Sequence, residues 1–267
     1  MADFSRKEIQ KLIVSPSGII NLAGANLSGI DLSKLWLKNL MFFKGNLSKI
    51  NLSESRLHEA DMQWAILENA NLEKTDLLNS YFFRTKLDHA NLSQSTIRNT
   101  DFSFSSLRNS ILNGAKITSS DFEDANIYEA KLQKVILINS SFERANLNGV
   151  NLSFSYLDYI NFEKAILTDS NLEGINIKSG SFIDSDLSWS NFRNASIKSS
   201  DFRFSNIEGV DFSGSKVEGV DFFGSNLTHS NFEGAIIRNS SFQGAKTDYI
   251  SFQRATLQDV RLDQNWN

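Results

Sequence analysis

Every fifth residue from Leu22 onward is large and apolar. Stepping by five as far as Leu262 meets Leu, Ile, Val, Phe or Met at all but one of 49 positions, the exception being Thr247. An amphipathic helix repeats its apolar face every 3.6 residues and a half-buried strand every second residue, so neither produces this spacing. A fixed short period signals stacked repeats and overrides any local assignment of helix or strand. Two residues before each large position lies a second column of small or branched residues, as at Ala25, Ala60, Ala70, Ser105, Ala125, Ser140, Val210 and Ala255. The residue between the two is commonly Asn or Asp, as at Asn26, Asp31, Asn51, Asp61, Asp101 and Asp201. A three-residue extended stretch with small in, polar out and large in satisfies all three columns.

The remaining two positions must turn the chain. Of the 14 glycines, 11 fall two residues after the large column, including Gly24, Gly114, Gly174, Gly209 and Gly244, and Asn39, Asn69, Asn99 and Asn139 share that position. Both residue types tolerate positive φ, which the third position of a type II turn requires. A longer period counts the turns in a circuit: Phe82, Phe102, Phe122, Phe142, Phe162, Phe182, Phe202, Phe222 and Phe242 recur every 20 residues, with Phe42 in the same phase. Four five-residue sides therefore close one coil. A second ladder, Phe192, Phe212, Phe232 and Phe252, runs ten residues out of phase and belongs on the opposite wall.

These columns resemble the pentapeptide-repeat family, whose motif is Ala-(Asp or Asn)-Leu followed by two variable residues; Ala70-Asn71-Leu72, Ala90-Asn91-Leu92 and Ala145-Asn146-Leu147 match it literally. The resemblance covers residues 20–263 and implies an all-β chain forming a right-handed quadrilateral β-helix of about twelve four-sided coils. At about 4.8 Å per coil that solenoid would be roughly 58 Å long.

The ends are read separately, because the first and last coils of a stack expose backbone and core. Residues 1–19 are expected to supply a capping helix and linker. Ser5 with Glu8 forms a capping box, Phe4 and Ile9 a hydrophobic staple, and Ile9, Leu12 and Ile13 one apolar face, predicting a helix over about 6–14 stopped by Ser15 and Pro16. This short opening helix resembles the start of many cyanobacterial members of the family. At the other end, residues 264–267 form a tail in which Trp266 is the one bulky lid. An open end would suit tail-to-tail stacking of two copies into a homodimer, the alternative being a frayed last coil partly covered by Trp266.

Composition narrows the chemistry. The net charge of −4 is a mild acidic excess that argues against direct nucleic-acid binding and against an anionic membrane surface. No cysteine means no disulfide, thiolate metal site or cysteine nucleophile, which fits a reducing compartment. With no signal-peptide or membrane-spanning apolar run, the cytoplasm is the expected location. His58 lies on a different wall from His89 and His229, and the latter two are seven coils apart, roughly 34 Å, so no histidine pair holds a metal. Asp121, Glu123 and Asp124 crowd one corner, but carboxylate catalysis needs a desolvating cleft that a convex wall lacks. Neither catalytic residues, metal nor cofactor are expected, and the chain reads as no enzyme.

Outward aromatics are the informative departures from a polar surface. Phe43, Trp64, Phe83 and Phe104 fall in four successive coils on the wall of the long phenylalanine ladder, with Met41 and Tyr81 beside them. Phe43, Trp64, Tyr81, Phe83 and Phe104 form a candidate partner-binding stripe, the competing reading being rings that cover turn backbone. Further along, Asp121, Glu123, Asp124, Glu143 and Glu163 make a candidate acidic patch, partly offset by Arg144 and Lys164. A neighbouring wall carries Arg98, Lys116, Lys178, Lys198, Lys216 and Arg238. The expected function is a non-enzymatic protein-binding scaffold with an unidentified partner. The alternative that the resemblance implies is a DNA-mimicking binder of type II topoisomerase (gyrase), protecting against gyrase poisons. Mixed charge, no C-terminal helix and uninterrupted coils weigh against that alternative.

Overall fold

The computed structural model describes residues 2–14 and 20–263. The expected helix stop at Ser15 and Pro16 and the lid Trp266 lie outside these residues. The fold is a β-solenoid of about twelve coils preceded by one short helix. By density of contacts the chain divides into two compact units, the first ending at Lys131 and the second beginning at Leu132.

The 20-residue circuit is visible in the register. Asn26 bridges Asn46, Asp31 bridges Asn51, and Trp36 bridges Arg56, all in parallel. One repeat shows where the backbone donors go. Asn46 N–H donates to Ala25 O in the coil before, while Leu47 N–H and Lys49 N–H donate to Ile66 O and Glu68 O in the coil after. Ile50 N–H closes the turn on Leu47 O, and Ser48 N–H donates to the Asn46 side chain at 3.1 Å. All five amides are thus satisfied, four by backbone and one by the outward Asn. That is the physical reason for the Asn/Asp column, whose carboxamides also link coils, as Asn71 Nδ2 does to Asn51 Oδ1 at 3.2 Å.

Every fifth residue from Gly24 to Asp259 has positive φ, as the type II turns require, and most of them are not glycine. Lys, Glu, Asn and even Trp64, Phe104, Phe154, Trp189 and Phe204 occupy it. Left-handed backbone costs an L-residue roughly 1–2 kcal/mol, a cost outweighed here by hydrogen bonds to the adjacent coil on either side of each turn.

One wall differs. Its sides are true three-residue strands, Asp76–Leu78, Thr96–Arg98 and Lys116–Thr118 in the first unit, and seven from Ile136–Ile138 to Thr256–Gln258 in the second. Its following corner lacks the closing turn bond, and at Thr100, Gly180 and Val220 a serine of the next coil accepts the amide instead. Ser200 Oγ accepts from Gly180 N–H and donates to Lys198 O, as Ser240 does for Val220 N–H and Arg238 O.

The helix, α1 (Arg6–Ile13), starts at Ser5 with both bonds of the capping box in place and ends one residue earlier than predicted, with Val14 as its C-cap. It buries Ile9. Two side chains unrecognised in the sequence complete the cap. Asp3 donates its N–H to Asn26 O and accepts Asn26 N–H on its carboxylate; Arg6 donates to Asp31 O at 2.8 Å and Ser33 O at 2.9 Å. In the following coil the equivalent carbonyls of Asn46, Asn51 and Ser53 accept backbone amides, so Asp3 and Arg6 take the part that the amides of the preceding coil play there.

Inside each unit the phenylalanines stack. Phe102 lies 4.6 Å from Phe82 and 4.8 Å from Phe122 in the first unit, the latter pair within 4° of parallel. In the second unit the two ladders stand on opposite walls and meet edge to face, Phe212 against Phe222 at 6.3 Å and 77°. In the last described coil the inward column opens, with Phe252 only half-buried and Leu257 42% exposed.

Candidate functional site

The predicted stripe lies in the first unit at the corner that follows the phenylalanine-ladder wall. Trp64 and Phe104 sit at the positive-φ turn position, which throws their side chains outward, and Phe83 sits one position earlier in its turn. Three of the five residues meet. Trp64 contacts Phe83 edge-on at 6.2 Å, and Phe83 contacts Phe104 at 5.6 Å. The Arg84 guanidinium lies 4.8 Å from the Trp64 ring, 5.3 Å from Phe83 and 5.5 Å from Phe104. A cation shared by three ring faces fixes the cluster without burying it: Trp64 remains 42% and Phe104 47% exposed.

Phe43 and Tyr81 stand apart. Phe43 carries Lys44 over its ring at 5.1 Å. Tyr81, with Met41, lines a shallow groove bounded by Glu59, Asn79 and Asn99. Met41 and Tyr81 occupy the column where Asp61 and Asp101 cap the amides of Gln63 and Ser103. The corresponding amides of Phe43 and Phe83 have no acceptor among the described residues. The sequence has thus given up two turn caps where it gains aromatic surface.

Several exposed aromatics outside the predicted stripe serve the backbone instead. A Cβ placed on Gly174 would meet the Phe154 ring at 2.7 Å; on Gly209, Trp189 at 2.5 Å; on Gly224, Phe204 at 2.8 Å. Each ring covers the turn glycine one coil later. Above Trp64 and Phe104 the next coil carries Arg84 and Asp124. The glycine 20 residues later was the sequence signal for this distinction, and Arg84, adjacent to Phe83, was the residue missed.

The acidic residues divide between the units. Asp121 accepts Glu123 N–H at 2.9 Å, so one of its oxygens does structural duty, and Asp124 occupies the positive-φ position beside them. In the second unit Glu143 pairs with Arg144 and Glu163 accepts from Ser181 Oγ. The basic residues are also partly neutralised: in the first unit Arg98 and His58 flank Asp76, and in the second Lys178 approaches Asp158 and Lys198 meets Glu218 at 2.9 Å. That contact, with Arg238 assisting, holds the Glu218 carboxyl below the usual range. Among the described residues no three His, Asp or Glu converge on a metal position, and no helix is long and apolar enough to cross a membrane.

Family comparison agrees with the repeat geometry. A model of pentapeptide repeats matches residues 42–73, 75–114, 85–124, 125–158 and 218–246, and a pentapeptide repeat region matches 155–222. The chain belongs to the pentapeptide-repeat family. Membership of this non-enzymatic family assigns the pentapeptide-repeat protein a role other than catalysis. Among solved structures it is similar to HetL, a pentapeptide repeat protein involved in heterocyst differentiation regulation from the cyanobacterium Nostoc, at 20% identity over 95% of this chain and 94% of that one, TM-score 0.42. It is also similar to QnrB1, a plasmid-mediated fluoroquinolone resistance protein, at 19% identity over 71% of this chain and 91% of that one, TM-score 0.38. A third is a pentapeptide repeat protein of the Arabidopsis thaliana thylakoid lumen, 29% identical over 34% of this chain and 63% of that one, TM-score 0.33. No curated protein sequence matches the chain.

Proposed function

We propose that this pentapeptide-repeat protein is a cytoplasmic, non-enzymatic scaffold that binds a partner protein through the Trp64, Phe83 and Phe104 cluster, with Phe43 and Tyr81 at its margins. One observation carries the reading: exposed Trp64 and Phe104 gather with half-buried Phe83 around Arg84 and have no turn glycine to cover, whereas Phe154, Trp189 and Phe204 each cover one. Rigid aromatics with an arginine among them are the usual anchors of protein interfaces. Replacing Trp64 and Phe83 by Ser should abolish partner capture while leaving the melting temperature nearly unchanged; undiminished capture would reject the assignment.

The DNA-mimic reading has less support, because its long acidic wall would have to include Glu143, which is paired with Arg144. A gyrase supercoiling assay separates the two readings. Tail-to-tail pairing of two copies draws support from half-buried Phe252 and exposed Leu257, and Leu257→Glu should then shift sedimentation from dimer to monomer.

A further inference from the structure

The strand wall of the second unit carries positive charge that the fold does not require. Elsewhere the outward position that opens each side is dominated by Asn and Asp, which cap turn amides. On this wall Asn176, Ser196, Lys216 and Ile236 occupy it, and three-residue pairing relieves them of that duty. The sequence is free here to choose outward side chains for another purpose. Four successive coils place Lys178, Lys198, Lys216 and Arg238 on the surface, against Glu218 as the one carboxylate of those four strands.

One pair in this arrangement opposes stability. Lys178 and Lys198 are direct register partners in adjacent strands, and like charges placed directly opposite across a strand pair destabilise it. Asp158 approaches Lys178 only at 4.0 Å, and Glu218 is engaged by Lys198. Lys216 and Arg238 make no ion pair among the described residues, although Arg238 lies opposite Glu218 in register, and with Ser196, Lys198, Glu218 and Ile236 they border a recess.

We propose that this wall docks an extended, acidic segment of a partner protein, whose carboxylates pair with Lys216 and Arg238 and relieve the Lys178–Lys198 repulsion. An extended chain presents same-side groups about 7 Å apart while the coils rise about 4.8 Å, a mismatch that long Lys and Arg side chains absorb. Charge complementarity alone would also admit nucleic acid or an anionic bilayer. The four strands present no outward aromatic on which bases could stack, and Ile236 is their one outward apolar side chain, too little to enter a membrane.

The test is fluorescence anisotropy of a short fluorescein-labelled poly-glutamate peptide at low ionic strength, with thermal melts alongside. Lys216→Glu/Arg238→Glu should weaken binding about tenfold or more, and the neutral pair Lys216→Gln/Arg238→Gln by less but measurably. The charge-matched control Lys164→Glu/Lys246→Glu, in the same unit but outside the strand wall, should leave it within about twofold. Trp64→Ser/Phe83→Ser should bind the peptide as wild type does, which keeps this surface independent of the aromatic cluster. The proposal is overturned if wild type fails to bind, or if the control loses as much affinity as the wall variant. It is likewise overturned if oligodeoxythymidylate or phosphatidylserine vesicles bind more tightly than the peptide and are lost with the same variant.

Discussion

Trp189 lies against Gly209 of the next coil so closely that a Cβ on the glycine would sit 2.5 Å from the indole. The ring shields a turn whose glycine is at φ +65°, and the glycine lets the ring lie flat along the surface. Gly234, at φ +66°, has nothing within 4 Å of its hypothetical Cβ. Alanine at either site meets the left-handed penalty of about 1 kcal/mol, so the difference between them isolates the ring contact. Gly209→Ala should be the more destabilising of the two in chemical denaturation and should alter Trp189 fluorescence. Equal losses would mean that the contact contributes nothing.

The core ladder predicts a larger effect. Phe202 stacks on Phe182 at 4.4 Å, tilts against Phe222 at 5.3 Å and meets Phe192 edge-on. Truncation to alanine leaves a cavity that closed coils on both sides prevent from collapsing, so Phe202→Ala should cost about 3–5 kcal/mol. Phe252→Ala, in the half-buried last described coil, should cost clearly less. The comparison needs only two urea titrations.

Acid should loosen the N-terminal cap. Glu8 is held below its ordinary 4.5 mainly by the Ser5 amide and then by the Ser5 hydroxyl. Asp31 is likewise lowered, first by the Ser33 amide, with Arg6 contributing. A carboxyl whose folded pKa is depressed adds stability that is complete above the unfolded value and disappears as pH falls through the folded one. The docking of α1 should therefore weaken on acidification below about 4.5, read by amide exchange around Ile9. Glu8→Gln should flatten that part of the pH dependence, and Arg6→Ala should loosen the cap at every pH.

The five-residue and 20-residue periods carried nearly all of the fold, because each column has one environment throughout: Leu47 and Leu67 are inward for the same reason. What they did not carry is how a position is used when its residue is atypical. Trp64 and Trp189 occupy the same place in the repeat, yet one surrounds a guanidinium and the other covers a glycine, a difference decided by residue 84 and residue 209 in the following coil. Asp3 and Arg6 were equally illegible, since their partners Asn26, Asp31 and Ser33 are 23 to 27 residues away and belong to no repeat column in contact with a preceding coil. Periodicity describes the interior of a stack, and its departures lie at the ends and on the corners.

The most direct measurement crosses two double variants with two readouts, partner capture and melting temperature. Trp64→Ser/Phe83→Ser should lose the partner and keep its melting temperature, and Trp189→Ser/Phe204→Ser should keep the partner and melt lower. If instead the first pair still captures the same protein, or both pairs change both readouts alike, corner aromatics share a single structural role and the Trp64 cluster is no interface.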